Sequence, residues 1–442
     1  MTLSVPSPAG FAELPLLLAD VPQGIGRLLR DVGLPTRDWE EPVPAGGARG
    51  RFVLIDSRQR GTGRRLRGPG GEGLEILDLR ELAPRCDDFE ETLTRPTQGR
   101  HWSPAAQQFL GHLKQALEER GGVWARLADY PFPFQSVLAV GIEYTPESVG
   151  EYPQLARELS SHTTHFLPLG EPPARSAGPV GEEGTRGEVG WRITRHDCSS
   201  SNRRTVAGWQ SARVRWSRAG AVPVGLLLED SVTSLPSPQA LLNLGLHLRV
   251  QSHEGGPWVG AGLAGCTLAP WVDVGAHLLV APTDSLDWMT EQYQHGQPLF
   301  VLARAGSSGL ANELRAFERD CQRCSLLWQT SLSGWAHWWG ARRGAEFALW
   351  RTPLGYTVQT PHPLPPGDWG LELWRGSHFA TLPLSAVCRS IAEDGLPFTL
   401  GSRRHPAGLA VARIGSMVDP VTSRPHWSGL GEWLHSWSLF RH

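Results

Sequence analysis

The chain has 442 residues, 40% of them hydrophobic and 19% charged, with a formal net charge of -2 at pH 7. That length accommodates two or three domains of roughly 100–200 residues and a substantial buried core. Binders of nucleic acid and of anionic membranes concentrate positive charge, so neither is expected as a partner.

The basic residues are almost all arginine, and Lys114 is the sole lysine. That bias fits a GC-rich coding sequence, and it lowers the weight of any single Arg as a sign of anion recognition. Six Cys in such a length do not make a disulfide framework. Cys321 and Cys324 form one C-x-x-C within a helical pattern, without a second pair at metal spacing. Two small residues on one helix face is the reading preferred to a redox or zinc site. Met1-Thr-Leu-Ser-Val-Pro-Ser-Pro lacks a basic segment followed by an apolar one. No apolar run approaches the ~18 residues of a membrane span. A cytoplasmic location is expected.

Residues 1–130 read as a small N-terminal α/β module. A short apolar run over 51–56 predicts a strand, 58–73 is an Arg- and Gly-rich loop, and 74–79 is a second short element. Ser103-Pro104 opens a helix, with Ser as N-cap and Pro in the first turn, and Phe109, Leu110, Leu113 and Leu117 at helical spacing. From 131 to 340 strand and helix patterns alternate. Strands are predicted over 137–143, 165–169, 222–228, 277–280 and 299–302. Helices are predicted over 152–159, 206–219, 286–295 and 311–328, and 238–248 runs from helix into strand. Such alternation is the signature of a parallel sheet or barrel with outer helices. Residues 341–402 change texture. Short strands over 347–350, 356–360, 369–374 and 378–383, divided by Pro/Gly turns, predict a small antiparallel β module. Trp427, Trp433 and Trp437 mark 403–442 as a Trp-rich tail, read as an amphipathic helix packed back on the protein, or less simply as a partner-docking helix.

Five strings carry more than secondary structure. Pro131-Phe-Pro-Phe134 leads into a strand that ends Ile142-Glu-Tyr-Thr145. Thr163-Thr-His-Phe-Leu167 follows as a second strand, and Gly187-Glu-Val-Gly-Trp-Arg-Ile-Thr-Arg-His-Asp-Cys198 comes next. Trp335-Ala-His-Trp-Trp339 lies near the end of the alternating region. As a set, over about 132–343, these resemble the polysaccharide deacetylases (the NodB-homology, carbohydrate esterase family four fold). The resemblance implies a distorted β/α, TIM-like barrel of the polysaccharide deacetylase type, flanked by the N-terminal α/β and C-terminal antiparallel β modules.

It also implies a metal-dependent site, and here the residues depart from the pattern. The family ends its first strand in an acidic pair, one acid a general base and the other a metal ligand. This chain has Glu143 and Thr145. The family's H-x-x-x-H, which sets two imidazoles on one helix face for a shared metal, falls at Arg192 and His196. Its late general-acid imidazole falls at Arg304, and a further strand end falls at Val224-Gly-Leu-Leu-Leu-Glu-Asp230. Arginine stays protonated and offers no lone pair, so it cannot ligate a metal and repels a divalent cation.

Glu143 is therefore a remnant acid, Arg304 replaces the family's imidazole, and His196 is a remnant ligand. A salt bridge from Glu143 to Arg192 or Arg304 would fill the metal's place. Trp191, Arg192, Asp230 and Trp288 are candidate ligand-binding residues, with the two indoles stacking on a sugar ring. His196-Asp197 also reads as a surface His oriented by its neighbour, and His162 and His165 as packing residues or a metal pair. Asp284 and Asp287 read as capping chemistry ahead of a pocket lining.

The expected function is a degenerate deacetylase-like protein that binds a carbohydrate or other small ligand, or serves as a scaffold. No cofactor is expected in that case. One alternative is an active deacetylase or amide hydrolase with zinc or another divalent metal, using Glu143 and His196 with Asp197 or Asp230. Another is an assembly protein that meets a protein partner through its N-terminal module and tail.

Overall fold

In the computed structural model, residues 12–39, 50–58, 74–82, 104–159, 162–170, 172, 187–198, 201–229, 232, 235–253, 258–260, 272–278, 286–294, 296–306, 309–324, 326–360, 369–384, 388–392, 396 and 399–400 are described. They fall into two compact units. One comprises described residues up to 133 and again from 341 onward; the other comprises those between 134 and 340.

The first unit opens with four strands in parallel, β1 (Leu16–Ala19), β2 (Thr36–Asp38), β3 (Phe52–Ile55) and β4 (Glu75–Asp78), in the order β2-β1-β3-β4. Helix α1 (Gln23–Val32) makes the crossover from β1 to β2 and buries Ile25, Leu28, Leu29 and Val32. It stops at Gly33, whose φ of 86° suits glycine and whose missing side chain leaves room for Arg342 Nη2, 2.5 Å from where a Cβ would stand. Two helices follow in this unit, the four-residue α2 (Leu79–Leu82) and the 16-residue α3 (Pro104–Glu119). The predicted stripe Phe109, Leu110, Leu113 and Leu117 on α3 is buried. Its proposed cap, Ser103, lies outside the described residues, as do Cys86, Cys266 and the tail from 403. The strand β5 (Trp124–Leu127) closes this stretch.

The second unit is built on a curled parallel sheet. Its strands are β6 (Ser136–Glu143), β7 (Thr163–Pro168), β8 (Glu188–Ile193), β9 (Gly225–Leu228), β10 (Leu248–His253), β11 (Trp258–Gly260), β12 (Val272–Leu278), β13 (Leu299–Arg304) and β14 (Leu327–Gln329). Parallel pairings run β6-β7-β8-β9-β10, then from β10 to β12, on to β13 and back to β6. The two exceptions are β11, an antiparallel edge on β12, and β14, which adds to β6.

Helices α4 (Tyr152–Glu158), α5 (Asn202–Arg218), α6 (Pro238–Asn243), α7 (Leu286–Gln294), α8 (Leu310–Cys321) and α9 (Leu332–Gly344) alternate with these strands. The eight residues of β6 are all buried, as a parallel strand covered on both faces requires. Alternate residues Leu138, Val140 and Ile142 of β6, with Tyr144 just past its end, join a core with Leu155, Trp209, Trp216 and Leu314 from the helices. On α8 the buried residues Leu310, Ala311, Leu314, Phe317 and Cys321 trace one helical stripe. Cys324 is buried just beyond, where burial pushes its thiol up to about 12. Both sulfurs are packing atoms, and Cys321 Sγ lies 2.9 Å from Met289 Sδ.

Three expectations differ here. The predicted helix over 311–328 ends at Cys321, and Leu327–Gln329 is strand, because those residues pair with Ser136–Leu138. The predicted strand at 277–280 spans Val272–Leu278. The helix face that the resemblance implies for Arg192 and His196 is absent, because residues 188–193 form β8 between β7 and β9.

The chain returns to the first unit within α9 and ends its described part in two antiparallel groups. One is β15 (Ala348–Thr352), β16 (Gly355–Gln359) and β19 (Cys388–Ala392); the other holds β17 (Gly370–Arg375), β18 (His378–Pro383) and β20 (Thr399–Leu400). Strand β5 pairs with β17, and Leu14 bridges Leu349, so the residues the sequence divides into N- and C-terminal modules share one sheet.

A buried charge network holds the same unit. Arg342 donates to the carbonyls of Ala128 (2.8 Å), Asp31 (2.5 Å), Val32 (2.7 Å) and Leu127 (3.1 Å) and to Asp129 Oδ1 (2.9 Å). Arg126 meets Asp129 at 2.8 Å and Glu372 at 2.8 Å, and Arg343 meets Asp31 at 2.5 Å. Among the described residues no helix is long and apolar enough to cross a membrane.

Candidate functional site

The charged residues at the carboxyl ends of the parallel strands converge on Glu143. Arg304 ends β13 and stands in register beside Glu143 at the end of β6. Its Nε donates to Glu143 Oε2 at 3.0 Å. Arg192 lies on β8, beyond the intervening β7, and its length carries Nε to Glu143 Oε1 at 2.6 Å. Both carboxylate oxygens thus accept from a cation. Glu229, just past β9, stands 3.9 Å from Arg192 Nη2. Burial differs sharply around the cluster: the side chains of Glu143 and Arg192 are 10% and 13% exposed, and that of Arg304 is 62% exposed.

The floor of the cluster is Phe166, in register with Glu143 on β7. Its ring occupies space left by two glycines on the flanking strands. A Cβ on Gly190 would stand 2.6 Å from Phe166 Cδ1, and one on Gly141 would stand 3.1 Å from Phe166 Cε2. Each glycine precedes a charged residue by two, Gly141-x-Glu143 and Gly190-x-Arg192. Period-two alternation puts glycine and charge on one face of the strand. That spacing was a sequence signal for the floor, and it had been missed.

Other expected residues lie apart from the cluster or do different work. Trp191 is a correction: it is fully buried, with Trp209 and Trp216 edge-on to it at 6.2 Å and 6.1 Å between ring centroids. Adjacent to Arg192 on a strand, it faces the opposite side, into the helix-covered core, and cannot stack on a ligand. His196 is exposed on the short turn Arg195–Asp197, not one helical turn above Arg192, because Arg192 is strand.

Asp197 does not orient His196. Its Oδ2 accepts from the Thr194 backbone N–H and hydroxyl, both at 2.8 Å, closing a capping box. Thr145 engages Ser148, whose Oγ accepts from its backbone N–H at 3.0 Å. Asp230 and Asp284 lie outside the described residues, and the side chains of Asp287 and Trp288 are likewise outside them. His162 is exposed, whereas His165 is buried with Nδ1 2.9 Å from the Tyr144 hydroxyl. Burial lowers the His165 pKa to about 4.

Chemically, Arg–Glu–Arg is a closed arrangement. Both carboxylate oxygens are occupied by guanidinium donors, and arginine neither gives up its proton near neutrality nor ligates a metal. Among the described residues no group of three or more His, Cys, Asp or Glu is placed to hold a metal ion. The residues present at the cluster therefore do not fit the divalent metal that the sequence resemblance implies.

No protein-family model matches the chain, and no curated protein matches it. Solved structures do show similarity. A polysaccharide deacetylase structure from Mycobacterium smegmatis is 15% identical, covering 48% of this chain and 93% of that one, with a TM-score of 0.34. A 4-alpha-glucanotransferase from Thermococcus litoralis is 10% identical over 46% of this chain and 38% of that one, at 0.29. Agd3, described as a carbohydrate deacetylase, is 8% identical over 81% and 92%, at 0.32.

Proposed function

We propose that this chain is a deacetylase-like barrel protein without deacetylase chemistry, which uses the mouth of its parallel sheet to bind a carbohydrate. One observation carries the reading. Both oxygens of Glu143 are taken by Arg192 and Arg304, the two positions where the sequence resemblance implies a metal-ligating and a general-acid imidazole. A guanidinium replaces the charge of a cation but not its Lewis acidity or its bound water. The placement of all three residues at strand carboxyl ends supports a binding role, because open α/β sheets and barrels take ligands at that end.

The test is metal stoichiometry by plasma mass spectrometry, on protein purified without chelator and again after dialysis against excess zinc. The expected result is no stoichiometric metal under either condition, with no change in His196→Ala. About one tightly held metal per chain, lost in His196→Ala, would overturn the reading and direct attention to acetylated sugars as substrates.

A further inference from the structure

The same cluster points to the kind of sugar, an inference that rests on the proposed function. Each guanidinium has five N–H donors in a rigid plane. Arg304 and Arg192 each spend Nε on Glu143. Glu143 thereby fixes two arginines that would otherwise sample many rotamers, which removes much of the ordering cost of a later contact. Among the described residues, the Nη groups of Arg304 meet no partner, and those of Arg192 meet only Glu229, at the long distance of 3.9 Å. Both arginines share the buried carboxylate of Glu143, Glu229 stands beside Arg192 alone, and the outer arginine, Arg304, is 62% exposed. Trp191 is in the core, so it offers no aromatic platform at the mouth.

We infer that the ligand is an acidic carbohydrate, and that an oxyanion borne on the sugar, a carboxylate or a sulfate ester, is received by the Nη groups of Arg304 with those of Arg192 behind them. Planar forks of this kind bind oxyanions through paired, charge-assisted hydrogen bonds. The Arg-rich composition makes a single exposed arginine weak evidence. Two arginines on different strands, locked by one buried acid, are stronger evidence.

The experiment is isothermal titration of the full chain with four probes: a galacturonate trisaccharide, its neutral galactose counterpart, a sulfated galactose trisaccharide and inorganic phosphate. Wild type and Arg304→Gln are compared at low and high salt. At least one acidic trisaccharide should bind about tenfold or more tighter than the neutral one, and should weaken with salt. Arg304→Gln should lose about that same factor for the acidic sugar and so remove its advantage over the neutral one. Arg304 is largely exposed, so the variant should fold, and its melting curve verifies this. Equal affinity for acidic and neutral sugars, binding by phosphate as tight as by the sugars, no loss in Arg304→Gln, or no binding of any probe would each overturn the inference. Preference for the neutral sugar without metal uptake would sink this inference alone; stoichiometric metal would sink the proposed function itself.

Discussion

Two arginine–carboxylate constellations occupy this chain, and they differ in what surrounds them. Around Arg342 and Arg126 in the first unit the charges balance: three arginines, counting Arg343, face Asp31, Asp129 and Glu372. Four main-chain carbonyls take most of the donors of Arg342, which is 1% exposed. Burial lowers the pKa of Arg342 to about 10, with Asp129 opposing the shift, so the residue stays charged at neutral pH. At the sheet mouth of the second unit, two arginines share Glu143, Glu229 stands 3.9 Å from Arg192, and the outer guanidinium keeps most of its donors toward solvent. Donors consumed by backbone tie segments together; donors left over are available to a ligand. The same residue type is spent on main-chain carbonyls in one place and left with solvent-facing donors in the other.

The largest effect should come from breaking the first constellation. Arg342→Ala strands buried carbonyls and leaves Asp129 and Asp31 short of a cation, at a cost of about 3–5 kcal/mol. Urea denaturation would show it, and an unchanged midpoint would mean that the network is dispensable.

Trp191→Ala removes a fully buried ring from the second unit's core and should cost a similar ~3–5 kcal/mol. If it instead left stability intact and abolished sugar binding, the assignment of Trp191 to the core would be wrong.

Acidification offers a third probe. His165 has a folded pKa of about 4 against an ordinary 6.5, so between those values the unfolded chain binds more protons than the folded one. Stability from this residue is complete above pH 6.5 and is lost progressively as pH falls toward 4, by about 3 kcal/mol. Denaturation midpoints across that window should flatten in His165→Gln; an identical slope would exclude His165 as the source.

At the mouth, Glu143→Gln removes the shared anion and leaves two guanidinium groups facing each other, costing about 1–3 kcal/mol. Arg304→Ala should sit at the bottom of the scale, below about 1 kcal/mol, because an exposed ion pair is screened by solvent. A melting curve for Arg304→Ala as depressed as that for Arg342→Ala would erase the distinction between the two constellations.

Much of this was legible in the chain. The β/α alternation within 131–340, the antiparallel texture within 341–402 and the helix with Phe109 and Leu113 all follow from the spacing of apolar residues. That spacing is set by the covalent geometry of strand and helix, so it survives in one dimension. The strand identity of 188–193 was not legible, because a parallel strand buried on both faces carries no alternation of its own and is fixed by the neighbours that flank it.

The sequence likewise brought Glu143, Arg192 and Arg304 to notice, through a resemblance that implies a metal site at positions where arginine has no lone pair to offer. Tertiary structure alone decided that both arginines reach the same carboxylate, that Arg304 keeps its outer donors exposed, and that Trp191 turns inward. It also joined Trp124–Leu127 to Gly370–Arg375 in one sheet. Those outcomes depend on strand order, register and the direction of each side chain across separations of tens to hundreds of residues. No local pattern in the chain encodes that information.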